Sequence, residues 1–411
     1  MSNELSGRVQ RIKPSPTLAV GARAEELIKA GKKIVNLSLG EPDFDTPNHI
    51  KEAAIKAIKS GLTKYTPVDG IRSLKQAVVD KFQRDNNLKY GLDQVIVSSG
   101  AKHSLFNLFQ AVLNPGDEVI IPAPYWVSYP DMVLLCDANP VVVQTDLDHH
   151  FKMTPAQLEA AITPKTRLLI IGSPSNPTGI AYSAAELKAL AAVLLKHPHV
   201  LVVSDDIYEQ ILWNQTPFSN ILMACPELYD RCIVVNGVSK TYSMTGWRIG
   251  YAGGPAHIIA AMKKGQSQST SNPSSIAQAA AEEAINGDQS CVQVMKTAFK
   301  ERHDYIYSEL QKIKGIRCLP SDGTFYIFPN IEGLLNNKIT NDLQFCEFLL
   351  THANIAVVPG SAFGSPGHIR ICYTTSMGQL QQAVENLTQA LPQLASKAGD
   401  NSEENIQAAR A

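Results

Sequence analysis

Five short polar or aromatic motifs in the sequence each directly follow an apolar run. They read SSGAK, PAPYW, SPSNPTG, SDDIYE and NGVSK. Ligands of open α/β sheets bind outside the carboxyl ends of the strands, so groups that follow several strands are expected to meet in one crevice. Lys240, in the last motif, is notable because an ammonium at the end of a buried strand is costly unless it is paired or neutralised.

The chemical groups in these motifs suit one cofactor. The side chains are Trp126, Asn176, Asp205, Tyr208 and Lys240. The turn through Gly100 and Ala101 opens a predicted helix, whose free amides can bind phosphate, and Arg248 can add a charged donor. A cofactor with an aldehyde, a pyridine nitrogen, a phenolic oxygen and a phosphate would use every one of these groups. The residues therefore predict pyridoxal 5′-phosphate.

The elements that must position these groups can be predicted from periodicity. Continuous apolar runs bounded by turn residues indicate strands buried on both faces, at 94–100, 118–124, 140–146, 167–174, 200–206 and 232–237. Helical spacing lies between them, as in Leu74, Val78 and Phe82. The stretch 183–197 begins with a serine followed three residues later by glutamate, which predicts a capping box. Thr46-Pro47 predicts a helix start and Gly61 its end.

Alternation of strands and helices predicts an α/β fold. We expect a three-layer α/β/α large domain with a mainly parallel sheet over residues 46–314. Residues 315–396 change character and predict a smaller α+β domain, with which the N-terminal segment 1–45 is expected to pack. Residues 397–411 have no core pattern and are expected to form a mobile tail.

Composition excludes several classes of protein. The 411 residues include 44% hydrophobic and 18% charged residues, and the net charge of −1 gives no basic excess for nucleic acid or anionic lipid. The sequence contains no apolar stretch of about 18 residues, so we expect no membrane span. The first residues contain no apolar core segment, so we expect no secretory signal. The seven scattered cysteines form no CxxC pair. We expect a cytoplasmic protein with reduced cysteines and no metal site.

The motifs SPSNPTG, SDDIYE and SKTYSMTGWRIGYAGGP, supported by EPDFDTP and GHIRICYTTS, occur in a characteristic order. Together they resemble the fold-type I, class I pyridoxal-phosphate-dependent aminotransferases over residues 8–390. Within that family the chain is similar to the aspartate aminotransferase branch that includes bacterial aspartate/prephenate enzymes. The resemblance implies transamination between aspartate or glutamate and a 2-oxo acid by a ping-pong mechanism.

The resemblance assigns roles in holding the cofactor ring. Lys240 is implied to be the Schiff-base lysine and the base for the proton shift, and Asp205 to pair with the pyridinium nitrogen. Tyr208 and Asn176 would hydrogen-bond the ring oxygen. Trp126 would stack on the ring face, although its neighbour Tyr125 is an alternative for that role.

A phosphate site is implied at Gly100, Ala101 and Arg248. Tyr65, in KYTPVDG, resembles a tyrosine that reaches the phosphate from a partner subunit, which implies a homodimer with shared active sites. The sequence departs from many relatives at Gly237, where Ser or Thr would stand three residues before the lysine. What replaces that hydroxyl is open at this point.

The substrate residues are also assigned by resemblance. Arg370 is implied to bind the α-carboxylate, together with the backbone of Gly40, beside Trp126 and Asn176 in the same substrate site. The stretch 265–275 has no arginine for a second carboxylate. Lys102 and Thr17 occupy the positions that serve this purpose in the aspartate branch, and Lys13 matches a position linked to prephenate.

Two alternatives to aspartate transamination remain. The same fold could carry an aminotransferase for aromatic or other neutral amino acids, and less favoured is a lyase that needs no 2-oxo acid acceptor. A nucleotide-binding or regulatory protein without catalysis is a further alternative, from a different class. The sequence has no GxGxxG after its first strand and no GxxxxGK, which argues against that class.

Overall fold

A computed structural model describes residues 5–14, 16–213 and 217–396. These residues divide into two compact units. Unit 1 comprises the described residues of Met1–Lys13, Glu41–Lys300 and Ser321–Thr324, and unit 2 those of Pro14–Gly40, Glu301–Pro320 and Phe325–Ala411. The tail expected at 397–411 lies outside the described residues.

The described residues form α-helices and short strands in alternation. The helices are α1 (Gly7–Arg11), α2 (Pro16–Lys29), α3 (Asn48–Lys59), α4 (Arg72–Asn86), α5 (Ala101–Val112), α6 (Ser128–Leu134), α7 (Pro155–Ala161), α8 (Ala184–Leu195), α9 (Ile221–Ala224), α10 (Ala256–Ser267), α11 (Ser275–Asn286), α12 (Ser290–Gln311), α13 (Asp342–His352) and α14 (Met377–Ser396). The strands are β1 (Val35–Asn36), β2 (Val95–Ser98), β3 (Glu118–Ala123), β4 (Asn139–Gln144), β5 (Thr166–Gly172), β6 (Leu201–Asp205), β7 (Cys232–Gly237), β8 (Gly250–Gly253), β9 (Tyr326–Ile327), β10 (Ile355–Ala356), β11 (Val358–Pro359) and β12 (Ile369–Cys372).

Unit 1 is built on a seven-stranded sheet in the order β2-β8-β7-β6-β5-β3-β4. Its pairs are parallel except where β8 runs antiparallel to both β2 and β7. The predicted α/β fold with a mainly parallel sheet is therefore confirmed. Six of the seven strands were predicted. The missed β8 is too short and glycine-rich to show a strand pattern.

Apolar side chains on both faces of this sheet form two core clusters. One contains Val202 and Phe82, and the other contains Val203 and Phe109. Because successive residues of a strand point to opposite faces, β6 contributes to both clusters, and helices cover the sheet on each side. This is the three-layer arrangement that the sequence predicts.

Burial along β4 differs from the prediction. The run 140–146 is apolar enough to indicate a strand buried on both faces, but β4 alternates between exposed and half-buried positions. It lies at the end of the strand order, beside β3 alone. An edge strand of this kind packs fewer neighbours, so an apolar run does not by itself establish burial.

Helix ends follow the sequence in one case and not in another. Ser183 caps α8, its hydroxyl accepting from the amide of Glu186 while the glutamate accepts from the Ser183 amide, as predicted. Thr46 does not cap α3. Its hydroxyl donates to the Ser243 carbonyl at 2.7 Å and accepts from the Trp247 indole at 2.9 Å, because a tertiary partner competes with the local cap.

Unit 2 contains two small sheets. Strands β1 and β10 form a parallel pair, and β11-β12-β9 form an antiparallel sheet. The central strand of the latter, β12, carries Arg370, which faces Val358 of β11 in the register. Phe345 of α13 and the neighbouring Phe363 are fully buried in this unit.

Across the described ranges, no helix combines the length and the apolarity required for a membrane span.

Candidate cofactor and substrate sites

Strand directions bring the predicted groups to one edge of the seven-stranded sheet. The strands β2, β3, β5, β6 and β7 all point the same way, so the segments after them start at the same edge. Arg248 precedes β8, and because β8 is antiparallel its beginning lies at that edge too. A phosphate donor can thus come from a segment that starts, rather than ends, a strand.

Glycines bring the beginning of α5 close to two strands. Gly237 of β7 faces Gly250 of β8, and Gly250 also faces Ser98 of β2. A Cβ at Gly250 would overlap the amide nitrogen of Ala101. The three segments therefore meet without intervening side chains, and the first amides of α5 point outward from a backbone-lined cradle.

The departure at Gly237 has a packing reason. A Cβ at this position would lie 3.0 Å from the Ile249 carbonyl oxygen and 3.1 Å from the Gly250 Cα. A serine or threonine would require the facing backbone to move by a few tenths of an ångström. The position that supplies a phosphate hydroxyl in many relatives is here used for close strand packing.

Arg248 lies against the same cradle. It has a left-handed backbone (φ 57°), and its Nη1 donates to the Thr245 carbonyl at 3.0 Å. A Cβ at Gly100 would overlap its guanidinium. Gly100 itself has φ 95°, which favours glycine, and it caps α5 without a side chain. Gly100, Ala101 and Arg248 are therefore together, as predicted, with a guanidinium beside free helix amides.

Asp205 ends β6 and is buried. The Tyr129 hydroxyl donates to its Oδ2 at 2.6 Å, and the Ile207 amide approaches Oδ1 at 3.4 Å. Burial raises the pKa of Asp205 to about 6, and the bonds from Tyr129 and Ile207 oppose that rise. A buried carboxylate of this kind gains most from a cationic hydrogen-bond partner, such as a protonated ring nitrogen.

The other ring-binding candidates lie in the turns after β5, β6 and β7. Asn176 is half-buried in the turn after β5, and Tyr208 is buried in the turn after β6. Lys240 is half-buried in the turn after β7, and β7 is the direct neighbour of β6. Their placement on adjacent strands agrees with the expected convergence.

Trp126 and Lys102 contact each other at this edge. The Lys102 ammonium lies 4.9 Å from the centre of the Trp126 ring, a cation–π distance. Partial desolvation, and then the charge of Arg248, lower the pKa of Lys102. Trp126 also packs edge-on against Tyr129, with ring centres 5.3 Å apart. The choice between Trp126 and Tyr125 thus has a geometric argument for Trp126, through its contact with the partner of Asp205.

In unit 2, Arg370 is only 2% exposed. Its guanidinium carbon lies 4.5 Å from the centre of the Tyr326 ring and 5.0 Å from that of Phe363. Its Nη2 donates to the Ser38 carbonyl at 2.7 Å. A planar cation stacked on aromatic rings keeps one orientation and suits a carboxylate that binds through both oxygens.

Gly40 lies beside this arginine in the same unit. A Cβ there would lie 2.8 Å from the Tyr326 hydroxyl and 3.9 Å from Arg370 Nη1. Glycine therefore keeps the backbone of residue 40 open next to the guanidinium.

The remaining candidates are placed separately. Thr17 lies in the first turn of α2 in unit 2. Lys13 is exposed in unit 1, where its backbone amide and its charge oppose the rise in the pKa of Asp131 that burial causes. Tyr65 is 92% exposed in the loop between α3 and α4.

Sequence reasoning missed two groups that support these sites. Tyr129 binds Asp205, and its only signal is its position three residues after Trp126. Asn36 supports Arg370 indirectly, because its Oδ1 accepts from both the amide (3.1 Å) and the hydroxyl (2.7 Å) of Ser38. No cluster of three or more His, Cys, Asp or Glu side chains able to hold a metal occurs within 5–14, 16–213 and 217–396.

The fold and this set of groups define a family. The model of the family described as "Aminotransferase class I and II" matches residues 32–387. The chain belongs to that family, whose members use pyridoxal phosphate.

The comparisons also point to a branch of the family. A protein of Nitrosomonas europaea named aspartate/prephenate aminotransferase is 55% identical over 395 residues, covering 94% of this chain and all of the relative. The crystal structure of an aspartate aminotransferase from Rhizobium meliloti matches with a TM-score of 0.92 at 47% identity, covering 95% of this chain and 99% of that one. An aspartate aminotransferase from Thermus thermophilus with maleate matches with a TM-score of 0.90 at 41% identity, covering 94% and 100%. The predicted family and branch are thereby confirmed.

The residues present fit pyridoxal phosphate. The glycine-lined start of α5 beside Arg248 can take a phosphate, and the buried acid at the end of β6 can take a pyridinium nitrogen. Lys240, in the turn after the neighbouring strand β7, can take an aldehyde. Each recognisable group of the cofactor therefore has a donor or acceptor of matching chemistry in unit 1.

Proposed function

We propose that the protein transfers an amino group between L-aspartate or L-glutamate and 2-oxoglutarate or oxaloacetate by a ping-pong mechanism. The observation that carries this proposal is Lys102, a cation placed by the first turn of α5 against the Trp126 ring. It offers a positive charge for a second substrate carboxylate in a chain whose α-carboxylate arginine is elsewhere, in β12. The names of the relatives support the same substrates.

The cofactor is held by residues of unit 1 in this proposal. Gly100, Ala101 and Arg248 would bind its phosphate, Asp205 would keep a proton at its ring nitrogen, and Trp126 would contact the face of its ring. Tyr208 and Asn176 hydrogen-bond its ring oxygen. When bound, pyridoxal phosphate supplies an aldehyde carbon for the amino group and an electron-accepting ring for the charge left at the substrate Cα.

Lys240 is the proposed base. Its Nζ takes the proton from the substrate Cα and returns a proton to complete the amino-group transfer. An ordinary lysine is a weak base at neutral pH because it is almost fully protonated. Lys240 would hold the cofactor through its aldehyde carbon until the substrate amino group displaces it, and only then would its Nζ be available as the base. A lysine attached in this way is not a buried bare charge, which accounts for its place after a buried strand.

Arg370 and Gly40 are proposed to bind the substrate α-carboxylate. The guanidinium is stacked on Tyr326 and Phe363 and braced by Ser38, so little further ordering is needed when a carboxylate arrives. Lys102 of unit 1 is proposed to bind the second carboxylate. Maleate, present with the Thermus relative, is itself a dicarboxylate and is consistent with two carboxylate sites.

Replacing Lys102 tests the substrate assignment. Lys102→Met should lower kcat/KM for aspartate by about 10- to 100-fold, the size of a lost hydrogen bond to a charged group. The value for phenylalanine should stay within about twofold, because a neutral side chain does not use the ammonium. Lys188→Met, at an exposed position of α8, is the matched control. Unchanged aspartate kinetics in Lys102→Met would instead favour an aminotransferase for aromatic or other neutral amino acids.

Prephenate is a second proposed acceptor, supported by the name of the Nitrosomonas relative. We infer that the exposed Lys13 assists its binding. Lys13→Met should raise KM for prephenate by about tenfold and leave KM for 2-oxoglutarate within twofold, as expected when one charged contact is lost. Equal changes for both acceptors would contradict a role for Lys13 in prephenate recognition.

We also infer a cytoplasmic homodimer in which Tyr65 of one chain reaches the phosphate site of its partner. The 92% exposure of Tyr65 in the single chain supports this inference. An aromatic ring exposed to this extent is accessible to a second copy of the chain.

A further inference from the structure

The segment Asp205–Glu209 carries two sets of side chains with different partners. Asp205 and Tyr208 are the proposed cofactor residues, whereas Asp206 and Glu209 have no role in the proposed chemistry. Asp205 faces Tyr129, which belongs to the same core cluster as Val203. Ser204, one position earlier along β6, points to the opposite face and donates to Asp206 Oδ1 at 2.6 Å.

On that opposite face, Glu209 forms an ion pair with Lys81 of α4. Their side chains are only 3% and 5% exposed. Asn86, the last residue of α4, joins both charges: its Oδ1 accepts from Lys81 Nζ at 2.8 Å, and its Nδ2 donates to Glu209 Oε2 at 2.9 Å. The nearest further carboxylate oxygen, of Asp85, lies 3.9 Å from Lys81 Nζ. The three side chains form a closed triangle between α4 and the turn after β6.

Asp206 attaches the same turn to other elements. It is fully buried, and its Oδ2 accepts from Asn220 Nδ2 at 2.6 Å. Asn220 in turn caps α9 by accepting from the Met223 amide. The Asp206 amide donates to the Val235 carbonyl of β7 at 2.8 Å, and its carbonyl accepts from the Glu209 amide at 3.0 Å. The turn is thus bonded to α4, α9 and β7 through residues that alternate with the cofactor residues.

Energetics argue that this cluster does more than stabilise the fold. Replacing a buried ion pair by apolar residues of similar volume is often neutral or stabilising, because desolvation offsets the attraction between the charges. Directional bonds, however, fix a turn in one geometry in a way that apolar contacts do not. Burial, and then the charge of Glu209, raise the pKa of Asp206 to about 7, whereas the hydrogen bonds from Ser204 and Asn220 and the charge of Lys81 oppose that rise. Lys81 is thus the cation that Asp206 and Glu209 share.

We propose that Lys81, Glu209 and Asp206 are positioning residues that fix the turn Asp205–Glu209, so that Asp205 and Tyr208 meet the cofactor ring in one orientation. The proposal rests on the proposed function, because it takes Asp205 and Tyr208 as cofactor residues. These three residues act through the turn and touch neither cofactor nor substrate.

The experiment compares the full-length parent with Lys81→Met and with the double variant Lys81→Met/Glu209→Met. The control is Lys152→Met, which breaks the Lys152–Glu186 ion pair at the start of α8, away from this turn. Three quantities are measured: the Kd of pyridoxal phosphate for the cofactor-free protein, the visible circular dichroism of the bound cofactor, and hydrogen exchange of the peptide 201–212. Thermal melting shows the temperature range in which each variant is folded.

We expect Lys81→Met to lower the melting temperature, since it leaves buried carboxylates without their cation. The double variant should regain much of that loss but still bind pyridoxal phosphate at least about tenfold more weakly, as when residues supporting a ligand-binding side chain are removed. It should also show a changed dichroism band and faster exchange at 201–212. The Lys152→Met control should match the parent in all three quantities.

Parental cofactor affinity and dichroism in the folded double variant would overturn the proposal and leave the pair a purely structural feature. Equal weakening in Lys152→Met would overturn it as well, because any lost ion pair would then suffice. If Lys81→Met does not fold, the double variant decides. A parent chain that takes up no pyridoxal phosphate would overturn the proposed function first, and the positioning role with it.

Discussion

Asp205 shows at the scale of one residue how a functional group opposes stability. Its carboxylate is fully buried, and the single hydroxyl of Tyr129 does not offset the lost hydration, so the pKa rises to about 6. The bound cofactor would supply a cation in its place. The chain without cofactor therefore carries a destabilising charge at neutral pH that the loaded chain does not.

The destabilisation caused by the buried Asp205 carboxylate can be measured with Asp205→Asn in the cofactor-free protein. The folded parent holds its proton up to about pH 6, whereas an unfolded aspartate loses it near 3.8. The free energy of unfolding of the parent therefore falls relative to that of the variant as pH rises from about 4 to 6. Above that range the difference between the two proteins stays constant. The difference between the folded pKa of about 6 and the unfolded pKa of 3.8 corresponds to about 3 kcal/mol in the free energy of unfolding. Urea denaturation at pH 4, 5, 6 and 8 should show the variant gaining by this amount.

The exposed Asp230→Asn is the control and should show no such trend. The same Asp205→Asn change should reduce aminotransferase activity by at least about 100-fold, because the ring nitrogen loses its acid partner. A flat stability difference across pH would mean that the carboxylate is not desolvated in the folded chain.

At this scale the sequence predicts groups whose chemistry is unusual for their position. Lys240 and Asp205 are polar ends of apolar strands, so they stand out, and Arg370 stands out through its motif. Tyr129, Lys81 and Glu209 do not, because a tyrosine near a helix start usually fills a core and charged residues in helices and turns usually face solvent. Only the tertiary contact reveals their partners.

At the scale of elements, the meeting of β7, β8 and α5 depends on the absence of side chains. Gly250→Ala would place a methyl group on the Ala101 amide, with no flexible atom to move aside. Overpacking against backbone should cost about 3 kcal/mol or more and should also weaken pyridoxal phosphate binding. Urea unfolding and cofactor titration measure the two effects.

Gly246→Ala is the matched control, since a Cβ at Gly246 has open space around it. It should change stability by no more than about 0.5 kcal/mol. Equal stability of the two variants would show that the strands can separate from α5 without cost, which would contradict the tight backbone approach.

The sequence predicts elements best where one interaction dominates. Continuous apolar runs identify β3, β5, β6 and β7 because these strands are buried on both faces. The pattern fails at β4, whose edge position decides its exposure. It fails at Thr46, where the indole of Trp247, 201 residues away, replaces the local cap. Long-range partners are not encoded in local spacing.

At the scale of the whole molecule, the exposed Tyr65 stands on a firmly held loop. The Gln278 side chain accepts from the Ile71 amide at 2.7 Å and donates to the Thr66 hydroxyl at 3.1 Å. Gln266 donates to the Val68 carbonyl at 2.6 Å. Both glutamines are fully buried. Because buried glutamines hold this loop, the exposed Tyr65 ring could contact a second copy of the chain without a further loss of loop entropy.

Mixed dimers test this arrangement. Lys240→Ala removes the proposed base, and in the proposed dimer Tyr65→Glu would place a carboxylate near the partner's phosphate site, so each variant alone should be nearly inactive. After unfolding and refolding together, half of the dimers should be mixed, and each mixed dimer has one intact site. Activity should therefore recover to about a quarter of the parental value, as two-fold symmetry requires.

Light scattering before mixing should give the mass of two chains for each variant. If both are dimers and mixing restores nothing, Tyr65 and Lys240 belong to the same subunit's site, and the shared-site inference is wrong. A monomeric parent would contradict the dimer itself.

The glycine contacts around α5 also limit which substitutions the chain can accept, in evolution or in laboratory selection. The proposed phosphate site is lined largely by main chain, and at positions 100, 237 and 250 a mutation can only add side-chain atoms. Substrate choice, in contrast, is assigned to side chains such as Lys102. Cofactor binding and the choice of side-chain carboxylate are thus assigned to different positions, so a library at Lys102 that leaves the three glycines and the proposed cofactor residues unchanged should explore new amino acids while keeping pyridoxal phosphate.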